Sequence, residues 1–117
     1  MVCIRGAVTC DINKKDEILS KTKEMLLEII DRNSLKTDDI VSVIFPAPRD
    51  IDKAYPAVAA RELGITKAAL MCFQEMYVEG SLEMCLRCMV SADNNLKQTE
   101  AKHVYMGGAK ILRPDIN

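Results

Sequence analysis

The sequence predicts an α+β fold, a mixed β-sheet with helices on one face. Three observations predict it. Val2 to Thr9, Asp39 to Phe45 and Leu82 to Ser91 read as strands, the last with a clear period of two. Between the first two lies one helical pattern, with Ile18, Thr22, Met25, Leu26 and Ile29 at helical spacing. The resulting order, β-α-β-α-β-β, does not suit a purely parallel sheet.

Taken in order, Val2 to Thr9 forms the first strand. Asn13 is the expected helix cap, with Asp16 and Glu17 in the first turn and an end near Arg32 and Asn33. Asp39 to Phe45, DIVSVIF, is a β-branched run and the second strand. The loop PAPRDIDKAYPA follows, stiffened by Pro46, Pro48 and Pro56. Ala57 to Leu63 is a short helix, with Pro56 near its first turn and Gly64 just past its end. Ala68 to Phe73 is the third strand. In the fourth, Leu82, Met84, Leu86, Cys88 and Val90 share one face, and Cys85, Arg87 and Met89 share the other. Lys97 to Lys102 reads as a polar helical turn, and His103 to Tyr105 and Ala109 to Leu112 as short extended pieces. So few helices cover one sheet face only. Self-association is expected to cover the other.

The 117 residues suit one domain, 1–117, large enough to bury about two-thirds of its unfolded surface. Aromatics are only 4% and there is no Trp, so the core must be aliphatic. A net charge of −1 gives no electrostatic case for nucleic acid or an anionic membrane. Arg5 interrupts the N-terminal apolar run, so no signal peptide is expected, and no apolar stretch approaches the ~20 residues of a membrane helix. The five cysteines, an odd number, point to reduced thiols and a cytoplasmic location.

Cys85-x-x-Cys88 is half a zinc or redox motif, but it has no second pair. On a strand its thiols point to opposite faces, so packing is the better reading. His103, the single histidine, reads as a surface or partly packed residue. No phosphate loop, dinucleotide glycine pattern, nucleophile elbow or calcium loop occurs. The arginines say more. An Arg on a strand usually marks an edge or a salt bridge. Here Arg5 and Arg87 lie on strands, Arg61 on the short helix and Arg113 near the end, with Glu75 after the third strand beside Cys72. Several cations around one carboxylate suggest a pocket for a small anion, since a guanidinium grips carboxylates bidentately and never deprotonates.

Six motifs occur in order: I-R-G-A at Ile4 to Ala7, Y-P-A-x-A-x-R-E at Tyr55 to Glu62, C-x-Q-E-M at Cys72 to Met76, C-x-R at Cys85 to Arg87, H-V-Y at His103 to Tyr105, and L-R-P-D at Leu112 to Asp115. Together they closely resemble the monofunctional chorismate mutases of the Bacillus type over nearly the whole chain. The resemblance implies a homotrimeric pseudo-α/β barrel with active sites between subunits. It implies the cofactor-free Claisen rearrangement of chorismate to prephenate, a step of phenylalanine and tyrosine biosynthesis in the shikimate pathway. It also implies no metal. Arg5 would hold a substrate carboxylate, and Arg87 would contact the ether oxygen and a carboxylate. Glu75 would accept from the substrate hydroxyl with Cys72 beside it, and Tyr105 would hydrogen-bond a carboxylate. Tyr55, Ala57 and Arg61 would line or border the neighbouring subunit's wall. Met71 joins the implied binding set, and Leu112 and Arg113 would belong to a closing C-terminal segment.

The chain departs from the pattern in places. Tyr55 stands where Phe is usual, Val58 where some members carry Lys, Met71 where Thr occurs, and Pro48 where Thr is often found. The central residues are untouched, and a short closing tail is expected. A pericyclic reaction needs no nucleophile or proton carrier, which agrees with the missing catalytic motifs. Two alternatives share the arginines: a trimeric imine deaminase of the YjgF type, and a non-enzymatic trimer binding a carboxylated metabolite.

Overall fold

The computed structural model describes residues 1–115. Strand β1 is Val2–Thr9, helix α1 Lys15–Arg32, β2 Ile40–Ala47, α2 Pro56–Glu62, β3 Ala69–Gln74, β4 Cys85–Ala92 and β5 Val104–Met106. Short 3-10 turns occupy Thr37–Asp39, Gln98–Glu100 and Gly107–Leu112. The five strands form one sheet in the order β3-β2-β4-β1-β5. β4 runs antiparallel to both β1 and β2, while β2–β3 and β1–β5 are parallel, so the sheet is mixed.

Helix α1 buries Ile18, Thr22, Met25, Leu26 and Ile29, the face its spacing predicts. Thr22 enters this core without penalty because its hydroxyl donates to the Ile18 carbonyl at 2.7 Å. The same core takes Ala57 and Ala60 of α2, Ile4 and Val8 of β1, Val43 and Phe45 of β2, and Leu86, Cys88 and Val90 of β4. Both helices therefore lie on one sheet face. Gly6 lets α1 come close: an added Cβ would stand 2.7 Å from Ile29 Cδ1 and 3.0 Å from Cys88 Sγ.

Several local expectations need correction. Asn13 does not cap α1. Lys14 holds the cap position with no side-chain bond, and Asn13 instead donates to Asp52 Oδ1 at 2.7 Å and accepts from the Asp52 amide at 3.1 Å. β2 continues through Pro46, which is tolerated because β2 pairs with β4 only as far as Ile44–Met89. β4 begins at Cys85, not Leu82. Met84 sits at φ 53°, a strained conformation for a side chain with a Cβ, held by its amide on Asp50 Oδ2 (2.9 Å) and its carbonyl on the Cys10 amide (2.8 Å). Ala109 to Leu112 is part of a 3-10 turn rather than extended. Gly107, at φ 59°, and Gly108 pack on Thr9, whose Oγ1 accepts the Gly108 amide at 2.8 Å. That turn buries Ala109 against Ala7, Cys85 and Tyr105 on the face opposite the helices.

Candidate active site

The site begins where β2 and β4 part. Beyond Ile44–Met89 the two strands no longer pair, while β4 stays bonded to β1 as far as Thr9–Cys85. Arg87 stands in this widening gap on the face away from the helices. Its neighbours two residues away, Cys85 and Met89, share that face, whereas Cys88 turns the other way and packs its thiol on Met25 Sδ at 3.8 Å. The two thiols of the C-x-x-C pair thus lie on opposite faces, as expected. Across the gap, the segment after β3 is tied back by the Glu75 amide on the Ala47 carbonyl (2.8 Å). This brings Glu75 Oε2 to 3.6 Å from Arg87 Nε. β4 itself offers Arg87 no carboxylate. Its partner, Glu75, comes from the connection between β3 and β4.

Two small clefts meet at Arg87. One, about 190 Å³, is walled by Glu75, Arg49, Tyr77 and Cys85. The other, about 230 Å³, is walled by Arg5, Ala7, Ile44, Pro46 and Tyr105. Tyr105 is buried, opposite Ala7 in the β1–β5 pairing. Arg5 is exposed, and its backbone amide donates to His103 Nδ1 at 2.9 Å. Burial, and then the charges of Arg5 and Arg113, hold the His103 imidazole below its ordinary value. Burial pushes the Cys85 thiol up, opposed by the Arg87 charge. Arg113 clasps Asp115 with two bonds of 3.1 and 3.0 Å, and this pairing holds the Asp115 carboxyl below the usual range.

The chain matches the family described as chorismate mutase type I over residues 1–116. It belongs to that family. It is 39% identical over 115 residues to a chorismate mutase of Bacillus subtilis, covering 97% of this chain and 91% of the relative. It is 33% identical over 114 residues to one of Thermus thermophilus, covering 97% and 93%. A solved chorismate mutase from Clostridium thermocellum superposes with a TM-score of 0.91 at 46% identity, covering 93% of this chain and 97% of that one. These chorismate mutase matches do not favour the imine deaminase or sensor alternatives.

Within this chorismate mutase fold, the predicted site residues fall into groups. Arg5, Glu75, Arg87 and Tyr105 surround the paired clefts, and Leu112 packs beside Tyr105. Cys72 takes a different set of neighbours in the described fold. It is opposite the buried Phe45 in the β2–β3 register, packs towards the helix-side core, and lines a third cleft of about 420 Å³ with Tyr55. Ala57 is buried in the core, whereas Tyr55, Met71 and Arg61 point to solvent. Of the closing segment, residues 116 and 117 lie outside the described residues. One cleft residue escaped the sequence reading. Arg49 lines both the Glu75 cleft and the Cys72 cleft, 6.0 Å from the centre of the Tyr77 ring. Its signal was a lone guanidinium in a loop read only for its prolines.

Proposed function

We propose that the chain catalyses the rearrangement of chorismate to prephenate as a homotrimer, each site completed by a neighbouring copy. The observation that carries this reading is the Arg87 guanidinium on a rigid strand, between Glu75 on one side and Arg5 and Tyr105 on the other. Chorismate is a dianion with one hydroxyl and a breaking carbon–oxygen bond. Arg5 and Tyr105 clamp carboxylates and so hold the compact chair in which the reacting carbons meet. Fixing that geometry lowers the barrier by several kcal/mol. Glu75 accepts from the hydroxyl. Arg87 meets negative charge growing on the ether oxygen, worth roughly 3–4 kcal/mol by analogy with one oxyanion donor. Together these reach the ~8 kcal/mol of a millionfold acceleration.

The trimer reading rests on incompleteness. The two clefts at Arg87 are each smaller than the ~300–1,000 Å³ of a finished ligand pocket. Met76, Tyr77 and Val78, which line the Glu75 cleft, leave large apolar side chains exposed there. A second copy supplies the missing wall and covers that surface. Exposed Arg61 borders the joint. Arg113 and Leu112 close over the site. Five free thiols fit a reducing cytoplasm, and no described helix is long and apolar enough to cross a membrane.

The deciding assay follows chorismate absorbance after adding purified protein, with prephenate identified as product and mass in solution measured by light scattering. Rapid loss from a three-copy particle is expected. A folded protein that leaves chorismate at its spontaneous rate overturns the catalytic reading, and an active monomer overturns the shared site.

A further inference from the structure

β1 has an unusual outer edge. β5 pairs with it only at Gly6, Ala7 and Val8. Upstream the edge is closed by side chains. The Gln98 carboxamide accepts the Cys3 amide at 2.8 Å and donates to the Cys3 carbonyl at 2.7 Å. At Arg5 the acceptor is an imidazole, His103 Nδ1, at 2.9 Å. That imidazole is anchored at its root. Lys102, the preceding residue, is held on both backbone groups by Asn33, with its amide on Oδ1 at 2.8 Å and its carbonyl on Nδ2 at 2.9 Å. Asn33 in turn ends α1, donating to the Ile29 carbonyl at 2.9 Å. A chain of contacts thus runs from the helix core to the backbone of a cleft cation.

We propose that His103, neutral and with its proton on Nε2, is a positioning residue that fixes the backbone from which Arg5 reaches a substrate carboxylate. This rests on the reading of Arg5 given above. A backbone amide only donates, so the bond to Arg5 exists only while Nδ1 is bare. The surroundings favour that state. Arg5 on β1 and Arg113 after the last 3-10 turn are the cations facing the ring, Asp115 is occupied by Arg113, and Tyr105, on the strand that begins just after His103, is the titratable neighbour along the chain. Protonation sets two donors against each other and frees Arg5 to shift. Arg87, on a different strand, keeps its place. Substrate affinity should therefore suffer more than the chemical step.

The test is steady-state kinetics between about pH 5 and 8 on the wild type, His103→Asn and His103→Leu. In the wild type, KM should rise as pH falls through the imidazole's titration, with kcat little changed. Asparagine Oδ1 can replace Nδ1 as acceptor but does not titrate, so His103→Asn should keep a near-normal KM and lose the pH dependence. His103→Leu should raise KM about tenfold at neutral pH, the worth of one lost hydrogen bond of about 1.4 kcal/mol. An unchanged KM in His103→Leu, or a wild-type pH profile in His103→Asn, overturns the proposal. If His103→Leu does not fold, the Asn profile decides together with nitrogen NMR of the single wild-type imidazole. A ring protonated on Nδ1 at neutral pH overturns it, and a bare Nδ1 sustains it. Absence of turnover in the wild type would instead sink the reading of the site, leaving the NMR test of His103 intact.

Discussion

Arg87 Nε and Glu75 Oε2 face each other at 3.6 Å across the gap between β4 and the segment after β3. Both side chains are about one-third exposed, at 34% and 31%. Water screens such a pair, and its contribution to stability is about 0–1 kcal/mol. The pair is thus poorly explained as a fold stabiliser. It keeps opposite charges in place at the junction of two clefts, where a bound dianion with a hydroxyl would find both.

Arg87→Ala should lower kcat by about a hundredfold to a thousandfold, the cost of losing one fixed donor to a developing charge. Its melting temperature should stay near that of the wild type. Arg87→Lys should recover only part of the activity, because a point charge lacks the planar fork. Kinetics and thermal melts on the same samples check this. Near-normal turnover in the alanine variant would remove Arg87 from the mechanism.

Gly6→Ala should destabilise by about 1–3 kcal/mol, because the new methyl meets Ile29, Cys88 and Met25 at 2.7–3.0 Å in a filled core. Gly6 separates Arg5 from Ala7, so the same change should disturb the cleft and raise KM. Denaturant midpoints give the first effect. An unshifted midpoint would mean that α1 yields at no cost.

Asn33→Leu should cost about 2–3 kcal/mol, since it strips the side-chain partner from both the Lys102 amide and the Lys102 carbonyl, while the Ile29 carbonyl keeps only the backbone amide of residue 33. Hydrogen exchange should accelerate at the Lys102 amide before it does in the strands. Equal protection in the variant would show that water or a rearranged backbone replaces the amide.

Burial pushes the Cys88 thiol up to about 12 and the Cys10 thiol up to about 11, and raises that of Cys85. A thiol reagent at mildly alkaline pH should therefore react first at half-buried Cys3 and Cys72. The sign for stability follows. These folded values exceed the unfolded one near 8.5, so the contribution is complete below about pH 8.5 and is lost as pH rises towards the folded values. Unfolding free energy measured at rising alkaline pH should fall. A flat profile would contradict the burial of these thiols.

Much of this was legible in the sequence, for reasons particular to each element. β1 needed only its own residues, and the buried face of α1 followed from spacing alone. From Cys85 onward the two faces of β4 followed from alternation, which grouped Arg87 with Cys85 and Met89; which face the helices cover came from the structure. What was missed depends on distant partners. Asp50 captures the Met84 amide 34 residues away and delays the start of β4. Thr9 captures Gly108 and turns an apparent strand into a 3-10 turn. Arg49 became a cleft residue only because β2 and β4 separate, which no local pattern announces.

The side chains of Gln98 and His103 along β1 have one more consequence. An open strand margin is a template on which a stray chain can add, and then another, towards a fibril. Here the Cys3 amide and carbonyl and the Arg5 amide are already taken by groups that cannot pass the pattern on. At that margin the sheet cannot propagate sideways, even though β5 is only three residues long. Copies of the chain can therefore meet through their broad faces without competition from lateral stacking at this strand, and face-to-face contact is the kind that can close on itself and stop.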